Sequence, residues 1–342
     1  MSNISLTRKS KSQRSAVPIK QASPQVSHSQ LNRGYVVVLI AILVLMAAFT
    51  WTEQGFSARF ANQNSVFGTF FQTFGEFPPV IISAIALNIL IHYLFRKSSL
   101  SPRGITQFFS WLACLLLTWG AFLILLDWSE QMMNYLRSWR KNAAEGVAIG
   151  VANNDSGSQQ TWEQILPAVM VALVLTAVVC CLTHLLLTKM SDATLKAFTI
   201  AAICTLIVIW LGHEINTGMK DLWGRFRPYE VAAGKGEFTL WWDINLPNGH
   251  RSFPSGHTEE GTILAALGIL LRPLGQKIAY SFLWIGAAYG VIMGISRVAV
   301  AAHYPTDTIA SFGLTFAIIA IGLFIYESLV GSEEEHRVLE QQ

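Results

Sequence analysis

Three short stretches of this 342-residue chain hold side chains whose types and spacing suit phosphoryl chemistry. The first is Lys220 with Arg227-Pro228, the second Pro254-Ser255-Gly256-His257, and the third Ser296-Arg297 followed by His303 and Asp307. Together they supply three fixed cations, a turn of backbone N–H groups at a helix start, and two imidazoles, one with a carboxylate four residues on. Such a set can hold a phosphoryl group and attack it. Phosphoryl transfer spreads negative charge over the equatorial oxygens, so placed cations and N–H donors do most of the work. Chemistry of this kind calls for no metal and no cofactor.

Each stretch has its own logic. Lys220 and Arg227 are seven residues apart, two turns of a continuing helix, so one face would present both to one anion. Pro228 then stops that helix and leaves Arg227 at its end; a lone Lys–Arg pair would be ordinary interfacial snorkelling. Pro254 and Gly256 shape a tight turn ahead of an apolar helix, whose unpaired N–H groups and positive dipole end suit a phosphate. Gly256 permits close backbone approach, and the Ser255 hydroxyl adds a donor. Without His257 beside them, Ser255 and Gly256 would simply cap a helix. Pro305 is placed as an early helical residue, with His303 just ahead and Asp307 in the first turn. That spacing lets the carboxylate accept from one ring nitrogen of His303, fixing the tautomer and leaving the other nitrogen as nucleophile. A helix-capping ion pair is the plain alternative for His303 and Asp307.

Composition names the surroundings: 52% of residues are hydrophobic and 13% charged, a balance that belongs in a membrane. Apolar runs at about 34–52, 77–95, 107–127, 164–188, 196–213, 257–274, 278–296 and 304–330 approach the roughly 20 residues needed per crossing. They predict an all-α, polytopic bundle of about eight transmembrane helices. Residues 1–33 form a basic, disordered tail; 34–163 hold leading helices and outer loops; 164–330 form the catalytic bundle; 331–342 are an acidic tail with Glu333, Glu334 and Glu335. Segment 53–76 is aromatic-rich and expected to lie in the outer interface, and 128–163 is a long outer loop with a flexible tip at Asn153–Ser158. Cys114, Cys180, Cys181 and Cys204 all fall inside apolar runs, as buried small hydrophobes do.

Two runs open on ionisable groups, His257, Glu259 and Glu260 in one and His303 and Asp307 in the other; at such depths these are functional by default. Basic residues crowd the tail before 34 and alternate connections, which places both termini in the cytoplasm. Loop 214–256 and turn 297–303 then face outward, in a bacterial setting toward the periplasm across the inner membrane. The first run follows a polar tail without a small-residue cleavage site and reads as an anchor that stays.

In order and spacing, Lys-x6-Arg-Pro, Pro-Ser-Gly-His and Ser-Arg-x5-His-x3-Asp resemble the signature of the type 2 phosphatidic acid phosphatase superfamily, from about 196 to 330. The resemblance implies an integral-membrane lipid phosphate phosphatase. It implies a phosphohistidine at His303, Asp307 orienting that ring, and Arg297 gripping the phosphoryl oxygens. His257 is implied as the general acid at the leaving oxygen, with Lys220, Arg227, Ser255 and Gly256 completing the phosphate site. Glu259 and Glu260 depart from the family's usual small residues; acids at a helix start are stabilised there, and either carboxylate could instead tune His257. The superfamily's haloperoxidases are soluble, which this chain is not.

The implied substrate is a lipid phosphate held in the bilayer: undecaprenyl diphosphate, phosphatidylglycerol phosphate or phosphatidic acid. Transfer of the phosphoryl group to another lipid such as lipid A is the enzymatic rival, and a non-catalytic lipid-phosphate transporter the more remote one. Nothing points to nucleic acid, and the chain names no protein partner. His250 and Arg251, ahead of the second motif, read as a solvated loop, with contact to substrate as the alternative; His213 and Glu214 carry no assigned role, while His92 and His184 read as helix polars paired within the bundle.

Overall fold

The computed structural model describes residues 28–100, 104–151 and 161–339. Over these residues the chain is helical: α1 His28–Phe49, α2 Glu53–Phe60, α3 Val66–Phe74, α4 Phe77–Leu100, α5 Gly104–Glu145 and α6 Trp162–Leu187 lead. There follow α7 Asp192–Trp223, α8 Pro228–Ala232, α9 Gly256–Thr262, α10 Leu267–Leu270, α11 Gln276–Ala299 and α12 Pro305–Leu339. No strand occurs among the described residues. The tail before 28 and the Asn153–Ser158 tip lie outside them.

Six spans, Val66–Ser99, α5, α6, Asp192–Ala232, α11 and Pro305–Gly331, are long and apolar enough to cross a membrane. The pair formed by α1 and α2, bent by 83°, makes a seventh if it is one broken span. This is an integral membrane protein. The expected crossing at 257–274 is not one long helix: α9 and α10 alternate with 3-10 turns at Ile263–Ala266 and Arg272–Leu274. Its apolar residues face the protein, with Ile263, Ala265, Ala266, Ile269 and Leu270 buried.

The core lies where this broken helix meets α4, α7, α11 and α12, through Ile82, Phe198, Val208, Ile269, Leu283, Phe316 and Ile319. Gly286 and Gly290 let α11 come against the 261–266 turn. A Cβ at Gly286 would stand 2.0 Å from Ala265 N, and one at Gly290 2.3 Å from Thr262 Oγ1, the small-residue contact expected between membrane helices. A satellite cluster of Ala84, Ala121, Leu125, Ala172 and Val179 fastens α5 and α6 to α4. Only 11% and 17% of the most apolar windows of α5 and α6 are buried. Their outer faces, including Leu115, Trp119, Leu182 and Leu185, are therefore left for lipid.

Three local expectations change. Segment 53–76 is not a detached stretch: α2 and α3 pack on α11, and Glu53, Gln72 and Glu76 are buried. Residues 128–145 are not loop, because α5 continues through polar but helix-favouring residues to Glu145. The acidic tail continues the backbone of α12 to Leu339. The cysteines form no disulfide, and the His92 and His184 rings meet at 5.6 Å.

Candidate active site

The turn between α11 and α12 builds the seat of His303. Helix α11 ends with Ala302 N–H bonding back to Arg297 O at 3.0 Å. Ala301 there adopts a left-handed φ of 61°, a conformation that costs a non-glycine residue about 1–2 kcal/mol. Pro305 then opens α12, where its fixed φ fits and its missing N–H costs nothing. His303 is buried in this turn, and its Nδ1 lies 2.6 Å from the carbonyl of Ser252. Asp307 Oδ2 is farther, 3.6 Å from the same nitrogen, beyond a hydrogen bond. The nearer carbonyl therefore fixes the tautomer, with the carboxylate supporting at longer range. Nε2 is left as the ring nitrogen without a protein partner among the described residues. Burial pushes this imidazole down to about 3, against the opposing pull of Asp307, so it stands neutral at ordinary pH.

Asp307 is itself held from every side. Its Oδ2 accepts from Ser252 Oγ at 2.6 Å and from Tyr304 N–H at 2.9 Å, and its Oδ1 pairs with Arg225 Nη1. Arg225 Nη2 meets Glu53 Oε1 at 2.6 Å and donates to Thr239 O at 2.7 Å. Glu53 Oε2 in turn accepts from Thr306 N–H and Oγ1 at 3.1 and 2.6 Å. The Arg225 guanidinium also lies 4.5 Å from the Tyr304 ring centre, a cation–π contact. None of Arg225, Glu53 and Asp307 touches solvent.

Ser255 caps α9, its Oγ accepting from Thr258 N–H at 3.4 Å and Thr258 Oγ1 at 2.9 Å. Its oxygen thus caps the helix start as an acceptor, and neither bond uses its O–H donor. Ser255 N–H donates to Asp307 O at 3.1 Å, and Ser311 Oγ donates to Ser255 O at 2.6 Å. These bonds join the Pro-Ser-Gly-His turn directly to the start of α12. Gly256 and His257, the first two residues of α9, have N–H groups with no acceptor inside that helix.

The cations arrive separately. Helix α7 does not continue to Arg227: it stops at Gly224 in the left-handed conformation, φ 53°, because a glycine C-cap bears that angle without a side-chain penalty. Lys220 and Arg227 are therefore not on one helical face. Arg227 is the N-cap of α8, its N–H bonded to Glu230 Oε2 at 2.7 Å. The two still converge electrostatically, since Lys220 and Arg227 both act on His303, and Lys220 and Arg297 both act on His257. Lys220 Nζ lies so close over the start of α9 that a Cβ on Gly256 would come within 2.5 Å of it. Arg297 is buried, donating to Gly68 O, to Gln72 Oε1 at 3.4 Å and to Ser296 Oγ at 3.3 Å. A guanidinium has five donors, so two N–H groups remain for an anion.

His257 Nε2 lies 2.9 Å from Glu76 Oε1, although its N–H is not aimed along a hydrogen bond. Gln131 Nε2 donates to the other Glu76 oxygen at 2.6 Å, and the Tyr135 ring stands 6.4 Å from that of His257. His250 pairs with Glu230 at 3.1 Å, and exposed Arg251 with Asp221 at 2.9 Å.

Arg225, Ser252, Glu53, Glu76, Gln131 and Tyr135 were not reached by sequence reasoning. A signal existed for Glu53 and Glu76, because each is an acid at the edge of an apolar run, where ionisable groups are costly. Arg225 lies two residues before Arg227 and offers no pattern of its own.

The described residues thus form a membrane helical bundle that carries cations and two imidazoles at helix ends. The family model of the PAP2 superfamily matches residues 193–329, from α7 to most of α12, and the chain is similar to that superfamily over this unit. Superfamily members are generally phosphatases, which supports activity of the phosphatase or phosphotransferase type on phosphorylated substrates. No curated protein and no solved structure matches the chain. Lys220, Arg227, Ser255, Gly256, His257, Arg297, His303 and Asp307 all lie inside the matched unit; Glu53, Glu76, Gln131 and Tyr135 lie outside it.

Proposed function

We propose that the protein is a membrane lipid phosphatase that cleaves a phosphomonoester or diphosphate lipid through a phosphohistidine at His303. The observation that carries this reading is the His303 ring itself, tied through Nδ1 to Ser252 O at 2.6 Å and lying within the field of Lys220 and Arg227. A neutral nitrogen nucleophile facing fixed cations suits attack on a phosphoryl group.

The Nε2 lone pair of His303 forms a bond to phosphorus as the bond to the leaving oxygen breaks and its electron pair departs with that oxygen. Arg297, Lys220 and Arg227 hold the phosphoryl oxygens. His257 gives its proton to the leaving oxygen. Water then attacks phosphorus, the P–N electron pair returns to His303, and the proton released by water goes to His257.

Support for a lipid comes from an apolar cavity of about 740 Å³ lined by Val38, Phe56, Trp284, Thr258, Pro305 and Thr308, among others. Thr258 adjoins His257, and Pro305 and Thr308 flank Asp307, so a tail in this cavity would run beside both helix starts. The reading takes the site to face the periplasm, with undecaprenyl diphosphate, phosphatidylglycerol phosphate and phosphatidic acid as substrate classes.

Purified protein offered each of these lipids should release inorganic phosphate, and His303→Ala should abolish release while staying folded in the membrane. Undiminished turnover by His303→Ala would remove the nucleophile. Phosphate recovered on a second lipid, with none free, would assign transfer in place of hydrolysis.

A further inference from the structure

We propose that Glu76, supplied by the junction of α3 and α4, is the positioning residue of His257, holding Nε2 so that Nδ1 delivers the proton to the leaving group. The inference rests on the phosphatase reading above and adds to it a residue from outside the matched unit.

The geometry is specific. Glu76 Oε1 is 2.9 Å from His257 Nε2, while Gln131 Nε2, at 2.6 Å, fixes the second carboxylate oxygen. The carboxylate thus cannot turn away without giving up a partly buried bond. Glu76 directly precedes α4 and is 5% exposed, and the positive end of that helix favours an acid there. With Nε2 facing Glu76, Nδ1 is the ring nitrogen left for substrate.

Charge supplies the reason for an acid. A general acid must carry a proton, yet His257 stands among cations: Lys220 from α7 and Arg297 from α11. Each of these disfavours an imidazolium. Glu76 counters them at contact distance. Tyr135 of α5 and the Glu259 and Glu260 carboxyls of α9 complete the titratable surroundings, and Glu260 lies against Glu76 itself. In the transfer step the Nδ1 proton passes to the leaving oxygen as the P–O bond breaks, and the Nε2 proton stays on the side of Glu76. During hydrolysis the proton lost by attacking water restores Nδ1–H.

The test exploits the leaving group. Full-length wild type, Glu76→Gln, His257→Gln and the double variant are assayed in mixed micelles on phosphatidic acid and on an alkyl-substituted nitrophenyl phosphate. The latter's leaving group departs without a proton. Glu76→Gln should slow phosphatidic acid turnover by about 10²-fold, the scale of general acid catalysis, and the nitrophenyl ester by less than about threefold. The double variant should be no slower than His257→Gln, because residues acting through one another are not additive. Equal losses on both substrates, or multiplying losses in the double variant, would overturn the inference and leave the phosphatase reading standing. Glu76→Asp, which keeps the charge, must show the same direction of split if Glu76→Gln does not fold. Wild type inactive on both substrates would instead remove the phosphatase reading, and this inference with it.

Discussion

Arg225 Nη2 and Glu53 Oε1 lie 2.6 Å apart with neither side chain reaching solvent, although 172 residues separate them in the chain. The pair joins the leading helices to the start of α12, since the same guanidinium holds Asp307. Desolvating three charges is costly, and only their mutual satisfaction makes the arrangement tolerable. Removing one partner strands the others. Glu53→Ala should therefore cost about 3–5 kcal/mol, with Glu53→Gln milder because an amide oxygen still accepts from Arg225. Thermal unfolding in detergent measures this; a Glu53→Ala midpoint equal to wild type would mean that the pair does not anchor α2.

The burial of His303 has a consequence for stability. His303 in the folded protein is held down to about 3, whereas an unfolded histidine titrates near about 6.5. Between these values the unfolded chain binds the extra proton, so stability rises with pH across that window and is progressively lost as pH falls through it. The slope reaches at most about 1.4 kcal/mol per pH unit. His303→Gln should show a shallower fall in unfolding midpoint between pH 6.5 and pH 4 than wild type. The acidic limb of turnover in wild type should likewise come from groups other than free His303. Parallel stability curves for the two proteins would show that the ring is not held neutral.

Much of this was legible because it is local. Helix spans follow from apolar runs, and His257, Arg297, His303 and Asp307 stand out because a membrane leaves little room for purposeless charge. What failed was geometry set by one residue. Gly224 ends α7 three residues before Arg227, so the single face expected for Lys220 and Arg227 never forms; a glycine just past an amphipathic stretch is a stop signal that was there to read. Long-range pairing was out of reach in a different way. Nothing in the neighbourhood of Glu53, Glu76 or Gln131 names Arg225 or His257 as a partner, because helix packing across the bundle makes those contacts. The 257–274 run has the composition of a spanning helix, yet its glycine and threonine positions pack so tightly on α11 that it folds as short pieces.

Gly256 offers a probe of the phosphate site that leaves every charged group in place. Its missing side chain is the space through which Lys220 Nζ reaches the start of α9, since a Cβ there would stand 2.5 Å from that nitrogen. The clash is with the tip of a flexible side chain, so Gly256→Ala should fold and instead push the ammonium aside. A displaced cation no longer matches the charge developing on the phosphoryl oxygens, and misplacement by about 1 Å costs on the order of 10²-fold in rate. The expected result is kcat/KM lowered by about 10- to 100-fold with an unchanged unfolding midpoint. Lys220→Met should lose at least as much, and combining the two should add little, because both remove one interaction. Gly256→Ala with full activity would show that Lys220 does not approach the substrate across this glycine.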